Sequence, residues 1–314
     1  MSDQQLAPLA FREAQEADWE QIAPMVANTW GDEGDYINES LWRQWVEESA
    51  TPRSYITVAE NDGQIVALGR IRELSVGEWW MEGIRVRPEL RGQGIGQAVV
   101  QELIRLHRLY SIGLLRFATY SHNTGMPEIA KKLGFVHLLS ATEIHIPAMD
   151  TDYSAYRVLE PRNVDIAFNF LKASPMYRFN KFAEYHWVMH FMSRERVLNY
   201  LEDETTHVVG WRQFKQLYGM VIVHTQSDPA YPYADPDNLY LSYVAAPDDT
   251  TFANMIHGLR GIAAAQGKKK IVWKMPLGAG LERPIAQQAD IERAWSEDGQ
   301  LLLYELPIQA GRGI

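Results

Sequence analysis

The chain has 314 residues, 46% of them apolar and 22% charged, with 10 Trp, 15 Tyr and 10 Phe. At roughly 150 residues per domain this length predicts two domains with real cores, and the aromatic content excludes a disordered chain. With no cysteine and a net charge of -10, a disulfide framework, thiolate catalysis, thiolate metal sites and general nucleic-acid binding are all excluded.

The first strand is expected at Leu9 to Arg12. A helix follows from Asp18, carrying Trp19, Ile22, Met25 and Val26 at helical spacing. Residues 40–48 read as a second amphipathic helix with Leu41, Trp42, Trp45 and Val46. Tyr55 to Glu60 alternates as a strand, Asn61-Asp62-Gly63 turns the chain, and 64–73 returns. A further strand runs from Glu78 to Arg87. After Pro88 and a glycine-rich turn comes a helix whose stripe is Ile95, Val99, Leu103, Leu106 and Tyr110. Leu114 to Tyr120 is a strand, 126–133 a short helix, and 135–146 a strand. Strands that meander and then alternate with helices predict an α/β fold with a mixed, mostly antiparallel sheet flanked by helices.

Pro147, Asp150, Asp152 and Ser154 mark a seam. Beyond it Tyr156-Arg157 and Asn163-Val164 echo Phe11-Arg12 and Asp18-Trp19. Leu239 to Val244 reads as a strand leading to Pro247 and a helix to about Ala265. Ile271 to Met275 is a buried strand, a helix is expected near 282–295, and Leu301 to Leu306 is the last strand. The order strand, Pro, helix, strand, helix, strand thus occurs twice, which predicts a duplicated domain over 1–148 and 156–314.

Arg91-Gly92-Gln93-Gly94-Ile95-Gly96 lies between a strand and an amphipathic helix. Glycines let the backbone turn tightly with its N–H groups aimed one way, at the positive end of the helix dipole, where they can hold a pyrophosphate. A plain tight turn would use the same glycines. A dinucleotide-binding fingerprint fits less well, because it needs G-x-G-x-x-G after a first strand.

With its neighbours, this turn resembles the GNAT superfamily of acyl-CoA N-acyltransferases. Arg91, Gly94 and Gly96 match the family's Q/R-x-x-G-x-G/A pyrophosphate motif, after a strand ending Ile84-Arg85-Val86-Arg87-Pro88. Asn123 and Gly134-Phe135 stand where the family has its next signature. The resemblance implies two tandem GNAT-like domains and acetyl-CoA as co-substrate, with no metal. It places the cofactor on Ile84, Arg85, Val86, Arg91, Gly92, Gln93, Gly94, Ile95, Gly96, Gln97 and Asn123. Backbone groups of Ile84 and Val86 would hold the pantetheine, the Ile84 N–H facing the thioester oxygen. Gly83 inside its strand predicts a bulge that opens the ladder there. Glu82, just before it, is the expected base, and Glu78 the weaker candidate. The family often has Tyr four residues before the Gly of Gly-Phe, and here that residue is Ala130. Solvent, Tyr120 or His122 must then protonate the leaving thiolate, and Tyr120 is the residue named as catalytic.

Residues 1–150 carry net -8 of the charge, much of it in Asp32, Glu33, Asp35, Glu39, Glu47 and Glu48, opposed by Arg43. That window predicts either attraction of a cationic amine or an ordinary acidic surface. His186 and His190, four apart, would share a helix face but lack a third ligand, so packed or surface histidines are expected. Lys268-Lys269-Lys270 reads as a solvated turn at a helix end. The second copy has Asp248-Asp249-Thr250-Thr251 after Pro247 and no glycine, so it should not bind CoA. The expected function is transfer of acetyl from acetyl-CoA to an amine of a small acceptor by direct attack. The alternatives are a peptide or protein amine as acceptor, or a CoA-binding regulator without turnover. No apolar run approaches the ~20 residues of a membrane span and the N-terminus lacks a signal-peptide pattern. A cytoplasmic location without nucleic-acid or membrane partners is the expectation.

Overall fold

The computed structural model describes residues 8–27, 29, 34–213, 216–225, 235–281, 284–285 and 290–307. These form two compact units. The first comprises the residues up to Phe117, Thr124–His137, and those from Tyr304 onward; the second comprises Ala118–Asn123 and Leu138–Leu303.

In the first unit, β1 (Ala10–Glu13) leads to α1 (Trp19–Val26) and α2 (Glu39–Ser49). Helix α2 starts at Asn38, whose side chain accepts a hydrogen bond from the Leu41 N–H at 2.9 Å, a regular N-cap. Then come β2 (Ser54–Asn61), β3 (Gln64–Ser75), β4 (Glu78–Val86), α3 (Ile95–Tyr110), β5 (Leu114–Tyr120), α4 (Gly125–Lys132) and the start of β6 (Val136–Pro147). Strands β1 to β4 pair antiparallel in chain order, β4 pairs parallel with β5, and the end of the last strand lies beyond β5. Ile95, Val99, Leu103 and Ile104 of α3 bury their stripe against Ala67, Ile71, Trp79 and Met81. Gly69 permits this approach, since a Cβ there would lie 2.8 Å from Val99 Cγ1.

The second unit opens with β7 (Tyr156–Val158), α5 (Val164–Ala173), α6 (Pro175–Phe179) and the hairpin β8 (Phe182–Tyr185) to β9 (Val188–Phe191). It continues with α7 (Arg194–Glu202), β10 (Thr206–Gln213), β11 (Gln216–His224), β12 (Asn238–Ala245), α8 (Asp249–Ala265) and β13 (Lys270–Pro276). A two-residue β14 (Glu292–Arg293) and β15 (Leu301–Leu306) close the chain. The strand order is β7-β10-β11-β12-β13-β6, again with one parallel pair, β12 with β13. Phe252, Met255, Ile256 and Leu259 of α8 fill one core, and Leu171, Val197 and Leu201 pack with Ile222 and Tyr243 in another.

The helix expected near 282–295 is corrected over 292–294, while residues 282–283 and 286–289 lie outside the described residues. Residues 284–285 are helical, but Glu292 and Arg293 pair with His145 and Ile144 of β6, and the Ala294 N–H reaches the Glu143 carbonyl at 2.9 Å. Pairing with the backbone groups of β6 outcompetes the local helical period there. Residues 174–224, unassigned from sequence, hold α6, the β8–β9 hairpin, α7, β10 and β11.

Candidate active site

The parallel ladder between β4 and β5 has three residue pairs, Glu78 with Leu114, Trp79 with Leu115 and Trp80 with Arg116. Beyond Trp80 the two strands no longer pair. The cause lies on β4. Against β3, Glu82 is opposite Arg70 while Arg85 is opposite Leu68, so Gly83 and Ile84 together face Gly69. This is the bulge expected from Gly83, which has φ +67. The extra residue shifts the side-chain alternation by one. Trp79 and Met81 face α3 before it, Ile84 and Val86 after it, while Glu82 and Arg85 both face the α2 side. The Ile84 carbonyl accepts from Arg85 Nη1 at 3.1 Å and the Val86 carbonyl from Arg91 Nε at 3.3 Å.

Immediately after β4 the chain makes the glycine turn. Gly92 (φ +80) and Gly94 (φ +84) are left-handed, and Gly94 is the N-cap of the 16-residue α3 without any side-chain cap. The first turn of α3 contains no acidic residue. A Cβ at Gly92 or Gly94 would meet no atom within 4 Å, so the backbone of the turn faces open space. Residues 91–94 are exposed and Ile95 is buried, which anchors the helix while leaving its N–H groups accessible. An uncapped helix N-terminus carries about half a positive charge and unsatisfied donors, the properties that hold a phosphate group.

On the opposite face of the sheet, charged groups fill the space under α2. Glu82 Oε1 accepts from Arg72 Nε at 2.7 Å and from Arg70 Nη1 at 3.2 Å. Arg70 also bonds Glu48 of α2, and its Nε donates to Ser54 Oγ at 3.1 Å. The Trp45 ring lies 4.8 Å from the Arg70 guanidinium, and its far edge covers Gly83, where a Cβ would fall 2.7 Å from the indole. Beyond the bulge, Arg85 makes a two-point contact with Asp35 at 2.5 and 2.8 Å, and stands 5.1 Å from the Tyr36 ring. Burial pushes the Tyr36 hydroxyl up to about 12. Burial opposes the Arg85 charge, but Tyr36 and Asp35 outweigh it and keep the guanidinium above its ordinary value. Glu78, the weaker base candidate, is buried against Arg116 at 3.2 Å and Ser75 at 3.0 Å.

Tyr120, His122 and Asn123 belong to the second unit. Tyr120 packs against Trp295 and Trp187, with ring centroids 5.1 and 6.2 Å away, and His122 Nε2 lies 3.2 Å from Asp298. Asn123 Nδ2 donates to Thr119 Oγ1 at 3.3 Å, so its side chain closes the end of β5. Ala130 is buried in the core of the first unit with Phe117 and Phe135.

Of the acidic window, Asp35, Glu39 and Glu48 are ion-paired with Arg85, Arg43 and Arg70, and Asp32 and Glu33 lie outside the described residues. Three of the six acids of the window are thereby neutralised. His186 and His190 do not share a helix face, because His186 sits in the β8–β9 turn and His190 in β9. The three lysines serve locally: Lys268 caps the carbonyls of Thr225 and Pro236, Lys269 pairs with Asp237, and Lys270 contacts His145. Sequence reasoning missed Arg70 and Arg72. Their signal is two arginines at strand spacing, Arg70 inside and Arg72 just after the apolar run Ile65 to Ile71, on the same face as Leu68.

The Acetyltransferase (GNAT) family model matches residues 10–135. Among solved structures, a GCN5-related N-acetyltransferase from Sphaerobacter thermophilus is 12% identical with a TM-score of 0.62, over 95% of each chain. One from Kribbella flavida is 14% identical with a TM-score of 0.53, over 95% of this chain and 70% of that one. One from Anabaena variabilis ATCC 29413 is 11% identical with a TM-score of 0.51, over 95% and 72%. At these identities the likeness is one of fold, and it extends well past residue 135. Residues 10–135 are thus similar to the GNAT acetyltransferase family, whose chemistry is acyl transfer from acyl-CoA to an amine. Among the described residues no helix is long and apolar enough to cross a membrane.

Proposed function

We propose that this chain transfers an acyl group, acetyl in the first instance, from acyl-CoA to the amine of a small molecule. The observation that carries this reading is the open, uncapped end of α3 placed directly after a strand that has left its neighbour. Such an end suits a pyrophosphate, and the unpaired stretch of β4 suits an extended arm with amide groups. Gly92 to Gly96 with Arg91 and Gln97 would take the pyrophosphate, and the backbone of Ile84 and Val86 the pantetheine. The Ile84 N–H is assigned to the thioester oxygen, where negative charge develops.

Glu82 is assigned as proton acceptor. Its Oε1 is held by two arginines, while Oε2 has no hydrogen-bond donor among the described residues. An ammonium group gives its proton to Oε2, directly or through one water. The freed nitrogen lone pair attacks the thioester carbon, the C–S bond breaks, the thiolate takes a proton, and the acylated nitrogen gives its second proton to solvent. With alanine at position 130, that proton is assigned to Tyr120, with solvent as the competing source. The acceptor is assigned as a small-molecule amine.

We further propose that the second unit is a degenerate copy of the first. Both have the same strand order with one parallel pair, and β12 carries an extra residue at Ser242 much as β4 does at Gly83.

The deciding experiment is calorimetric titration with acetyl-CoA, followed by thiol-release assays over a panel of primary amines. Binding with turnover that Glu82→Gln depresses supports the enzyme. Binding with no turnover on any amine supports the CoA-binding regulator, a reading favoured by Ala130. Absence of acetyl-CoA binding removes both.

A further inference from the structure

Arg70 is 2% exposed in a strand whose neighbours Leu68 and Ile71 are fully buried apolar residues. Removing a guanidinium from water is costly unless each direction is satisfied. Here the fork reaches three ways: Nε to Ser54 on β2, Nη1 to Glu82 on β4, and Nη2 to Glu48 on α2. Trp45 closes the face above it. Packing alone would be met by an aliphatic residue. The guanidinium instead meets the carboxyl group of Glu82, itself 9% exposed, at 3.2 Å under the helix.

We propose that Arg70 is a positioning residue for acyl transfer: it fixes Glu82 through Oε1, turns Oε2 to the proton, and ties that carboxylate to α2 through Glu48. This rests on the reading of Glu82 as the proton acceptor. The charged and titratable groups around Glu82 are Arg70 and Arg72 from β3, Glu48 from α2 by way of Arg70, and Tyr36 before α2. Farther along β4 stands Arg85, neutralised by Asp35. Arg70 carries positive charge toward Glu82, and Glu48 draws part of that charge away. Removing one or the other therefore changes the charge that faces Glu82 in opposite senses.

The test uses the full chain and thiol release from acetyl-CoA, with spermidine, glucosamine and water as acceptors, as a function of pH. Arg70→Met keeps the contact with Trp45 and loses the fork. It is expected to lower kcat more than about tenfold and to move the acid limb of the profile up by about one pH unit, with KM for acetyl-CoA unchanged. Glu48→Gln is expected to move the same limb down. Arg70→Lys, which keeps charge without the planar fork, should restore the limb but only part of kcat. If Arg70→Met fails to fold, the Glu48→Gln and Arg70→Lys arms decide. Profiles that superimpose on the unsubstituted protein, or limbs that move the same way in Arg70→Met and Glu48→Gln, overturn the proposal. Glu82→Gln separates the two readings. Unchanged turnover there defeats Glu82 as the base, whereas a large loss there beside unmoved Arg70 and Glu48 profiles defeats the positioning role alone. No thiol release above the uncatalysed rate defeats both.

Discussion

Helices α3 and α8 each follow a strand with a bulge, yet their N-termini end in opposite chemistry. Gly94 caps α3 with nothing but backbone in a left-handed turn, and no acid follows in the first turn. Asp248 caps α8 with its own side chain, accepting from the Thr251 N–H at 2.7 Å, and Asp249 follows. One helix leaves its donors outward for an anion. The other satisfies a donor internally and adds negative charge where an anion would sit. A few residues after a proline thus decide whether a helix start is left open or is capped by its own side chain.

The largest expected contrast between the units is in acid. Burial holds His224 and His186 of the second unit down to about 3, with Lys274 adding to the effect on His186. In the unfolded chain both titrate near 6.5, so below that value the unfolded state takes protons the native state refuses. Stability is fully present above about 6.5 and falls as pH drops toward 3, by up to ~1.4 kcal/mol per pH unit for each histidine. Hydrogen exchange in β10 to β12 should rise accordingly, and His224→Gln should reduce that slope. Next in size, Gly94→Asp should weaken acetyl-CoA binding at least about 100-fold, ~2.7 kcal/mol, because it strains a left-handed residue and puts a carboxylate in the cradle. Calorimetry measures it, and affinity within threefold of the unsubstituted chain would break the comparison. Tyr120→Phe should lower turnover about tenfold, ~1.4 kcal/mol, if tyrosine and not solvent supplies the thiol proton. Asp248→Ala should cost about 1 kcal/mol in urea unfolding and create no acetyl-CoA binding.

Much of this was legible in the chain. The helices α2, α3 and α8 follow from apolar periodicity, β5 and β15 from short β-rich runs, and the bulge at Gly83 from a glycine inside a strand. The glycine turn was legible because left-handed φ at Gly92 and Gly94 is a local demand that few residues but glycine meet cheaply. The hairpin β8–β9 was not legible. Its two turn residues are His186 (φ +48) and Trp187 (φ +67), where glycine or asparagine is usual. Trp187 N–H bonds Glu184 Oε1 at 2.7 Å and its ring stacks on Trp295, so contacts hold a backbone that local preference opposes.

The sequence by itself determined the strand-Pro-helix order that occurs before α3 and before α8, and which of those helix starts has no side-chain cap. Each of these depends on residues close together in the chain. The tertiary structure alone decided that Glu48, Arg70 and Glu82 form one buried ionic chain. It also decided that Arg85 is held by Asp35, and that Tyr304 to Leu306 fold into the unit built mainly by the first third of the chain. Partners 12 to 50 residues apart, or at opposite ends of the sequence, leave no local period to read. Only burial, which forces every charge taken from water to find its counter-charge, brings them together.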